Sequence, residues 1–160
     1  MTIELISAIS LTIGISALCS TLEAMILSIT VAEIESLKEK NPKKGKLLEK
    51  FKLELEETSS AILSLNTIAN TLGATLVGGL AEKTFGGQEN SLLIFAIGMT
   101  LGILFFSEIL PKNLAVSYRF EMATKLIFPL AAVRWSMSPI SKICKVTVRA
   151  IVPPKDKQSE

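Results

Sequence analysis

Long apolar runs alternate with short charged ones along this chain. Residues 5–22 carry no charge, and the apolar pattern continues to residue 32 with Glu23 as its one interruption. Residues 58–81 are again free of charge, and a third apolar run from Ser91 to Ser107 extends through Ile109-Leu110 if Glu108 is tolerated. Each run approaches or exceeds the roughly 20 residues that cross a bilayer as a helix, so three transmembrane helices are predicted. Between the first two, residues 33–57 mix seven lysines with Glu33, Glu35, Glu39, Glu49, Glu54, Glu56 and Glu57. Asn41-Pro42 and Gly45 predict a turn there. Two short amphipathic helices flank it, with Leu47, Leu48, Phe51 and Leu55 on one side of the second. Glu82 to Asn90 reads as a short polar loop turning at Phe85-Gly86-Gly87.

Residues 113–152 are mixed. Arg119, Lys125, Arg134, Lys142, Lys145 and Arg149 are interspersed among Leu126, Ile127, Phe128, Trp135, Met137, Ile140, Ile143 and Val146, and Pro129 and Pro139 are expected to break the region. The spacing suits helices lying along the interface, apolar side in lipid and basic side toward headgroups. The alternative is a fourth span over 126–141, against which Arg134 stands near its middle. Residues 1–152 are expected to form one membrane domain, and the polar stretch 153–160 a tail or the start of a linker. The fold class is therefore an all-α membrane protein with three transmembrane helices and interfacial helices forming a juxtamembrane belt.

Charge sets the orientation. Of the basic residues, seven lie between spans one and two and nine from Lys112 onward, with Lys83 alone between spans two and three. Basic loops stay on the cytoplasmic side, so the N terminus is expected outside and the C terminus inside. The start Met1-Thr2-Ile3-Glu4 has no basic residue, unlike a secretory signal peptide. The charged loop nearly balances acids and bases and lacks interleaved aromatics, so it is no nucleic-acid patch.

The inventory removes much chemistry. Histidine is absent, which takes away imidazole acid–base catalysis and most zinc or iron sites. Cys19 and Cys144 are far apart and read as small hydrophobes. Gly78-Gly79 and Gly86-Gly87 read as packing or turn glycines rather than phosphate cradles. With no paired aspartates and no Ser–Lys pair at a shared depth, the chain is not read as an enzyme. A channel would want a repeated carbonyl filter, and none is visible.

What remains is oxygen. Glu108 is a carboxylate at membrane depth, costly unless paired. Pro111 has no N–H for the Ser107 carbonyl, which frees a second oxygen beside the first. A bland reading is a proline kink with Glu108 reaching the interface or a lysine. In span one, Ser16, Ser20 and Glu23 share a helix face that Thr12 continues. In span two, Asn66 and Asn70 are four apart, with Thr67 and Thr71 beside them; interhelical packing glue is an equal reading for these amides. Ala69, Gly73 and Ala74 allow close helix approach, and Gly98 and Gly102 read as a packing face on span three. At about 1.5 Å per residue the serines, asparagines and Glu108 reach similar depths in the inner half of the membrane. Hydroxyls, an amide oxygen, a carboxylate and a carbonyl are hard ligands that suit Mg2+ or Na+, with Glu23 close enough to join or to steer ions.

Three segments carry a resemblance: Ser16-Ala17-Leu18-Cys19-Ser20-Thr21-Leu22-Glu23-Ala24, Leu65-Asn66-Thr67-Ile68-Ala69-Asn70-Thr71 and Ser107-Glu108-Ile109-Leu110-Pro111-Lys112. Together they resemble the signature segments of the CNNM/CorC transmembrane domain of magnesium transporters. The resemblance implies three spans with a cytoplasmic helical belt, a homodimer in the bilayer, and one dehydrated Mg2+ held in each protomer. It maps the metal ligands onto Ser16, Ser20, Asn70, the Ser107 carbonyl and Glu108. It implies Mg2+ export across the cell membrane, coupled to Na+, and a cytoplasmic CBS-pair domain as partner in the full-length protein. A Mg2+-sensing or dimerisation module without transport is the alternative. Two positions depart from the family pattern. Leu22 stands where a small or hydroxyl residue is usual, and Ser107 stands where glycine is usual, its side chain expected to tighten the site or add a ligand.

Overall fold

A computed structural model describes residues 2–85 and 89–151, with the side chains at 89, 141, 142 and 144–151 outside the description. Gly86 and Gly87 of the expected turn, the side chains of Lys142, Cys144, Lys145, Val146 and Arg149, and the tail 153–160 therefore lie outside the description. The described residues form α1 (Thr2–Ser28), α2 (Val31–Lys40), α3 (Pro42–Leu53), α4 (Leu55–Phe85), α5 (Glu89–Gly102), a π-helical segment (Ile103–Ile109), α6 (Leu110–Ser117) and α7 (Arg119–Ile151). Three continuous helical stretches are long and apolar enough to cross a membrane: Thr2–Ser28, Leu55–Phe85 and Asn90–Ser117. These are the three spans expected from the apolar runs, and no further described helix joins them.

The belt grows from local sequence signals. Thr30 caps α2 by accepting from the Glu33 N–H, while the Glu33 carboxylate accepts from the Thr30 N–H at 2.9 Å. This reciprocal arrangement satisfies two donors that a helix start otherwise leaves open. Asn41 caps α3 from one side only, its Oδ1 accepting from the Lys44 N–H at 3.1 Å, with Pro42 at the helix start where no N–H is needed. Gly45 lies inside α3 rather than in the turn. A Cβ there would stand 2.5 Å from the Lys38 backbone, so the missing side chain lets α3 cross α2 at contact distance. As expected, Leu48 and Phe51 are buried and Leu47 and Leu55 pack against the same core.

Helix α1 has no basic residue in its last turn. Lys52 of α3 supplies the cation from outside, its Nζ donating to the Ile26 and Leu27 carbonyls at 2.9 and 3.0 Å. Burial holds this ammonium below the usual lysine range.

Two apolar clusters hold the spans. The larger joins Cys19, Leu22, Met25, Ile26 and Ile29 of α1 and its exit to Ile62 of α4, Ala115 of α6 and a stripe of α7 (Ala123, Ile127, Leu130, Val133), with α2 and α3 beneath. The smaller lies at the opposite end of the spans, where Leu5 meets Val77 and Ala81. Between them α1 and α4 come very close, because a Cβ on Gly73 would stand 2.3 Å from the Thr12 side chain.

Three expectations change. First, Pro129 and Pro139 do not break the belt: both lie inside the single helix α7. An interior proline costs about 3 kcal/mol, and the buried α7 stripe offsets it. Second, that stripe packs on protein, so the α7 apolar surface is not all turned to lipid, although Phe128 and Trp135 remain exposed. Arg134, awkward for a lipid span, is held at the α3–α4 corner. It pairs with Glu54, donates from Nη1 to Thr58 Oγ1 at 3.3 Å and lies 5.0 Å from the Phe51 ring centroid. Third, added Cβ atoms on Gly98 and Gly102 would meet nothing within 4 Å, so these glycines pack against no other described helix of this chain.

Two outcomes are expected. Gly73→Ala drives a methyl into Thr12 and lowers stability by about 1–3 kcal/mol, measured as a drop in melting temperature of the purified protein in detergent. Glu33 also pairs with Arg119 at the start of α7, at 2.9 Å. Burial raises its carboxyl, but hydrogen bonds from Thr30 and Arg119 outweigh that and hold it below the usual 4.5. A depressed carboxyl stabilises the fold above its unfolded pKa and loses that contribution as pH falls through the folded one. Glu33→Gln should therefore melt lower than the parent above pH 4.5, by about 0.2–1 kcal/mol. The two melting curves should converge in more acidic buffer.

Candidate functional site

The site begins with the α1–α4 contact. Thr12 is buried and spends its hydroxyl on its own helix, donating to the Ala8 carbonyl at 2.8 Å. Its remaining bulk fits over Gly73. One turn further along α1, the buried Ser16 hydroxyl crosses to α4 and donates to Asn66 Oδ1 at 2.9 Å. The same oxygen accepts from Asn70 Nδ2 at 3.4 Å. Thr67 and Thr71, beside the asparagines in sequence, are exposed and take no part.

Two buried oxygens on these helices are left over. Among the described residues, Ser20 Oγ and Asn70 Oδ1 have no hydrogen-bond partner. Ser59 Oγ, nearer the α3 end of α4, shares that condition. A buried polar atom without a partner costs about 1–3 kcal/mol. Two buried oxygens with lone pairs to offer, one on α1 and one on α4, have the donor chemistry that suits a bound cation.

Span three is joined to this contact by an unexpected bond. The fully buried Ser107 donates its hydroxyl to the Ile13 carbonyl of α1 at 3.2 Å. Ser107 thus fastens span three to span one. Pro111 sits at the start of α6, where a helix needs no N–H. The strain expected there takes the form of the π-helical segment. Its end is marked by the Leu110 N–H bonding to the Phe105 carbonyl, five residues back. The span is widened at Ser107–Glu108 and not interrupted. π-turns inside α-helices are rare and concentrate at functional sites.

Glu108 follows Ser107 and is half-buried. Among the described residues no basic side chain pairs with it. Lys112, one turn on, reaches instead to Glu23 at 3.1 Å. This removes Glu23 as a free second carboxylate, although it had been expected to join or steer ions. The described residues hold no group of three or more His, Cys, Asp or Glu side chains placed for a metal, so any cation here would be held by neutral oxygens and one carboxylate. Leu22 is fully buried in the larger cluster.

Of the predicted ligands, Ser16 and Asn70 converge on Asn66, Ser20 lies one turn from Ser16 on the buried face, and Ser107 is fixed to α1 with Glu108 beside it. Asn66 was a member of the polar set but not of the implied ligands. Its signal in the sequence is the four-residue spacing from Asn70. Lys112 was legible only as part of the third segment.

Comparison with known proteins identifies the family. The model of the cyclin M transmembrane N-terminal domain matches residues 6–160. A UPF0053 protein of Synechocystis sp. is 27% identical over 138 residues, covering 86% of this chain and 39% of its own length. A chloroplastic DUF21 domain-containing protein of Arabidopsis thaliana is 29% identical over 132 residues, 82% of this chain and 20% of its own. The metal transporter cnnm-2 of Caenorhabditis elegans is 26% identical over 132 residues, 80% of this chain and 16% of its own. The chain thus spans well under half the length of these relatives, and with the family model matched along nearly all of it, it belongs to the cyclin M transmembrane N-terminal domain family.

Proposed function

We propose that this chain carries Mg2+ across the cell membrane, exporting it by a secondary mechanism coupled to Na+. The observation that carries the reading is the pair of stranded buried oxygens, Ser20 Oγ and Asn70 Oδ1, in a protein whose neighbouring span brings a half-buried Glu108 that pairs with no basic side chain among the described residues. In the proposed site Mg2+ is the cargo. It takes oxygens from Ser16, Ser20, Asn70, the Ser107 carbonyl and Glu108, and Glu108 balances its charge. Mg2+ gives up water reluctantly and demands near-octahedral oxygens, so a firmly held site is needed. The Ser107–Ile13 and Ser16–Asn66 bonds provide two of its fixed points. A relative named as a metal transporter supports the cargo class.

The basic belt favours a cytoplasmic position for α2, α3 and α7 by the positive-inside rule, with the N terminus outside. A homodimer is the assembly that the family resemblance implies, with a CBS-pair domain as the cytoplasmic partner in a longer protein. Residues 1–152 are the membrane domain in this reading.

The test is flux. In liposomes holding a Mg2+-sensitive dye, the parent should move Mg2+, and an opposed Na+ gradient should accelerate it. Glu108→Gln should abolish both Mg2+ binding and flux. A variant that moves Mg2+ at the parent rate sinks the assignment, and binding without flux in the parent would favour a sensing module. Ser107→Ala separates side chain from backbone at the same place. It deletes the bond to Ile13 and should lower stability by about 0.5–1.5 kcal/mol, while Mg2+ binding persists because the carbonyl remains. Loss of binding at unchanged stability would make the hydroxyl the ligand.

A further inference from the structure

Asn66 stands outside the proposed ligand set, yet the bond that crosses from α1 to α4 at the site and the bond from Asn70 within α4 both end on it. Its Oδ1 accepts from the Ser16 hydroxyl at 2.9 Å and from Asn70 Nδ2 at 3.4 Å. A carboxamide oxygen has two lone pairs, and these two donors occupy both. Asn66 Oδ1 therefore has no lone pair left for a cation.

The consequence falls on its two neighbours. The Ser16 hydroxyl can point its hydrogen toward only one acceptor. With that hydrogen committed to Asn66, the lone pairs of Ser16 face elsewhere. The Asn70 amide has a donor end and an acceptor end. Its NH2 is turned to Asn66, so its Oδ1 faces the opposite way, buried and without a partner. An Asn70 amide turned the other way would present N–H hydrogens, which repel a cation. One acceptor thus fixes the sense of two groups, so that both offer oxygen lone pairs.

We infer that Asn66 is a positioning residue that orients Ser16 and Asn70 for the divalent cation without touching it. This rests on the Mg2+ site proposed above and adds the group that sets its polarity. Metal ligands commonly depend on such partners, whose loss costs on the order of 10–100-fold in affinity. The bland counterpart is interhelical glue, in which Asn66 only holds α1 to α4.

The experiment is calorimetric titration of the detergent-purified chain with MgCl2, alongside melting temperatures taken without Mg2+. Asn66→Ala should weaken Mg2+ binding by on the order of 10–100-fold. Asn66→Gln keeps the amide but moves its oxygen by one methylene, and should weaken binding while still folding, which covers a failure of the alanine variant to fold. Asn66→Asp keeps an acceptor in place and should bind at least as tightly as the parent. In a Ser16→Ala/Asn70→Ala background, Asn66→Ala should cost less than about twofold further, because residues acting through shared partners are not additive. Parent affinity with a lowered melting temperature in both Asn66→Ala and Asn66→Gln would leave only glue and overturn the inference. Full additivity would make Asn66 a ligand itself and overturn it too. These outcomes leave the Mg2+ site standing if Glu108→Gln still abolishes binding. A parent chain that binds no Mg2+ overturns both.

Discussion

The approach of α1 to α4 at Thr12 and Gly73 is the constraint on which the rest depends. A hydroxyl on one helix reaches an amide on another only if the two backbones are close, and ordinary side chains keep them apart. Gly73 removes the obstacle, and Thr12, its own hydroxyl already satisfied, fills the space. In lipid there is no hydrophobic force between spans, so packing and interhelical hydrogen bonds carry the association. Here the two act at adjacent turns: van der Waals contact at Thr12–Gly73, then the Ser16–Asn66 bond. Span three attaches to the same helix through Ser107 and Ile13. α1 is thus the shared partner of both other spans.

The belt performs a different task. It grips one end of the bundle through cations. Lys52 closes the carbonyl end of α1, Arg134 binds the corner between α3 and α4, and Arg119 ties the start of α7 to Glu33. Each cation comes from a helix other than the one it stabilises. The grip is therefore tertiary, and moving α7 would disturb the ends of spans one and two together.

Much of this was legible in the sequence because it follows from local pattern. Uncharged runs pointed to the three spans, Asn41-Pro42 marked the break between α2 and α3, and Gly73 was readable as a close-approach glycine. The Ser16, Ser20, Asn66 and Asn70 spacings put polar atoms on definite helix faces. Pairing across helices was not legible, because it depends on how each helix is rotated about its axis. Nothing in the periodicity told whether Lys112 would reach Glu108 or Glu23, or that the Ser107 hydroxyl would find the Ile13 carbonyl. The prolines misled in α7 because tertiary packing outweighs local propensity there. At Pro111 the opposite holds: the lost N–H was foreseen, but not that the chain would absorb it by widening into a π-turn. The side chains of Ser16, Ser20, Asn70, Ser107 and Glu108 are placed among buried or half-buried surroundings, and their joint role as ligands belongs to the proposal.

The ion pair between Lys112 and Glu23 has a consequence for voltage. Because the pair is neutral, the carboxylate of Glu108 alone sets the charge of the proposed site. Empty, such a site carries one negative charge; with a monovalent ion it is neutral; with a divalent ion it carries one positive charge. A unit charge crossing the membrane field exchanges about 2.3 kcal/mol per 100 mV. The empty and divalent-loaded forms would therefore be pushed in opposite directions by the same potential, and the monovalent-loaded form would be indifferent to it. Removing the lysine's charge from Glu23 would shift every one of these charges by one negative unit, so that the divalent-loaded form became the indifferent one.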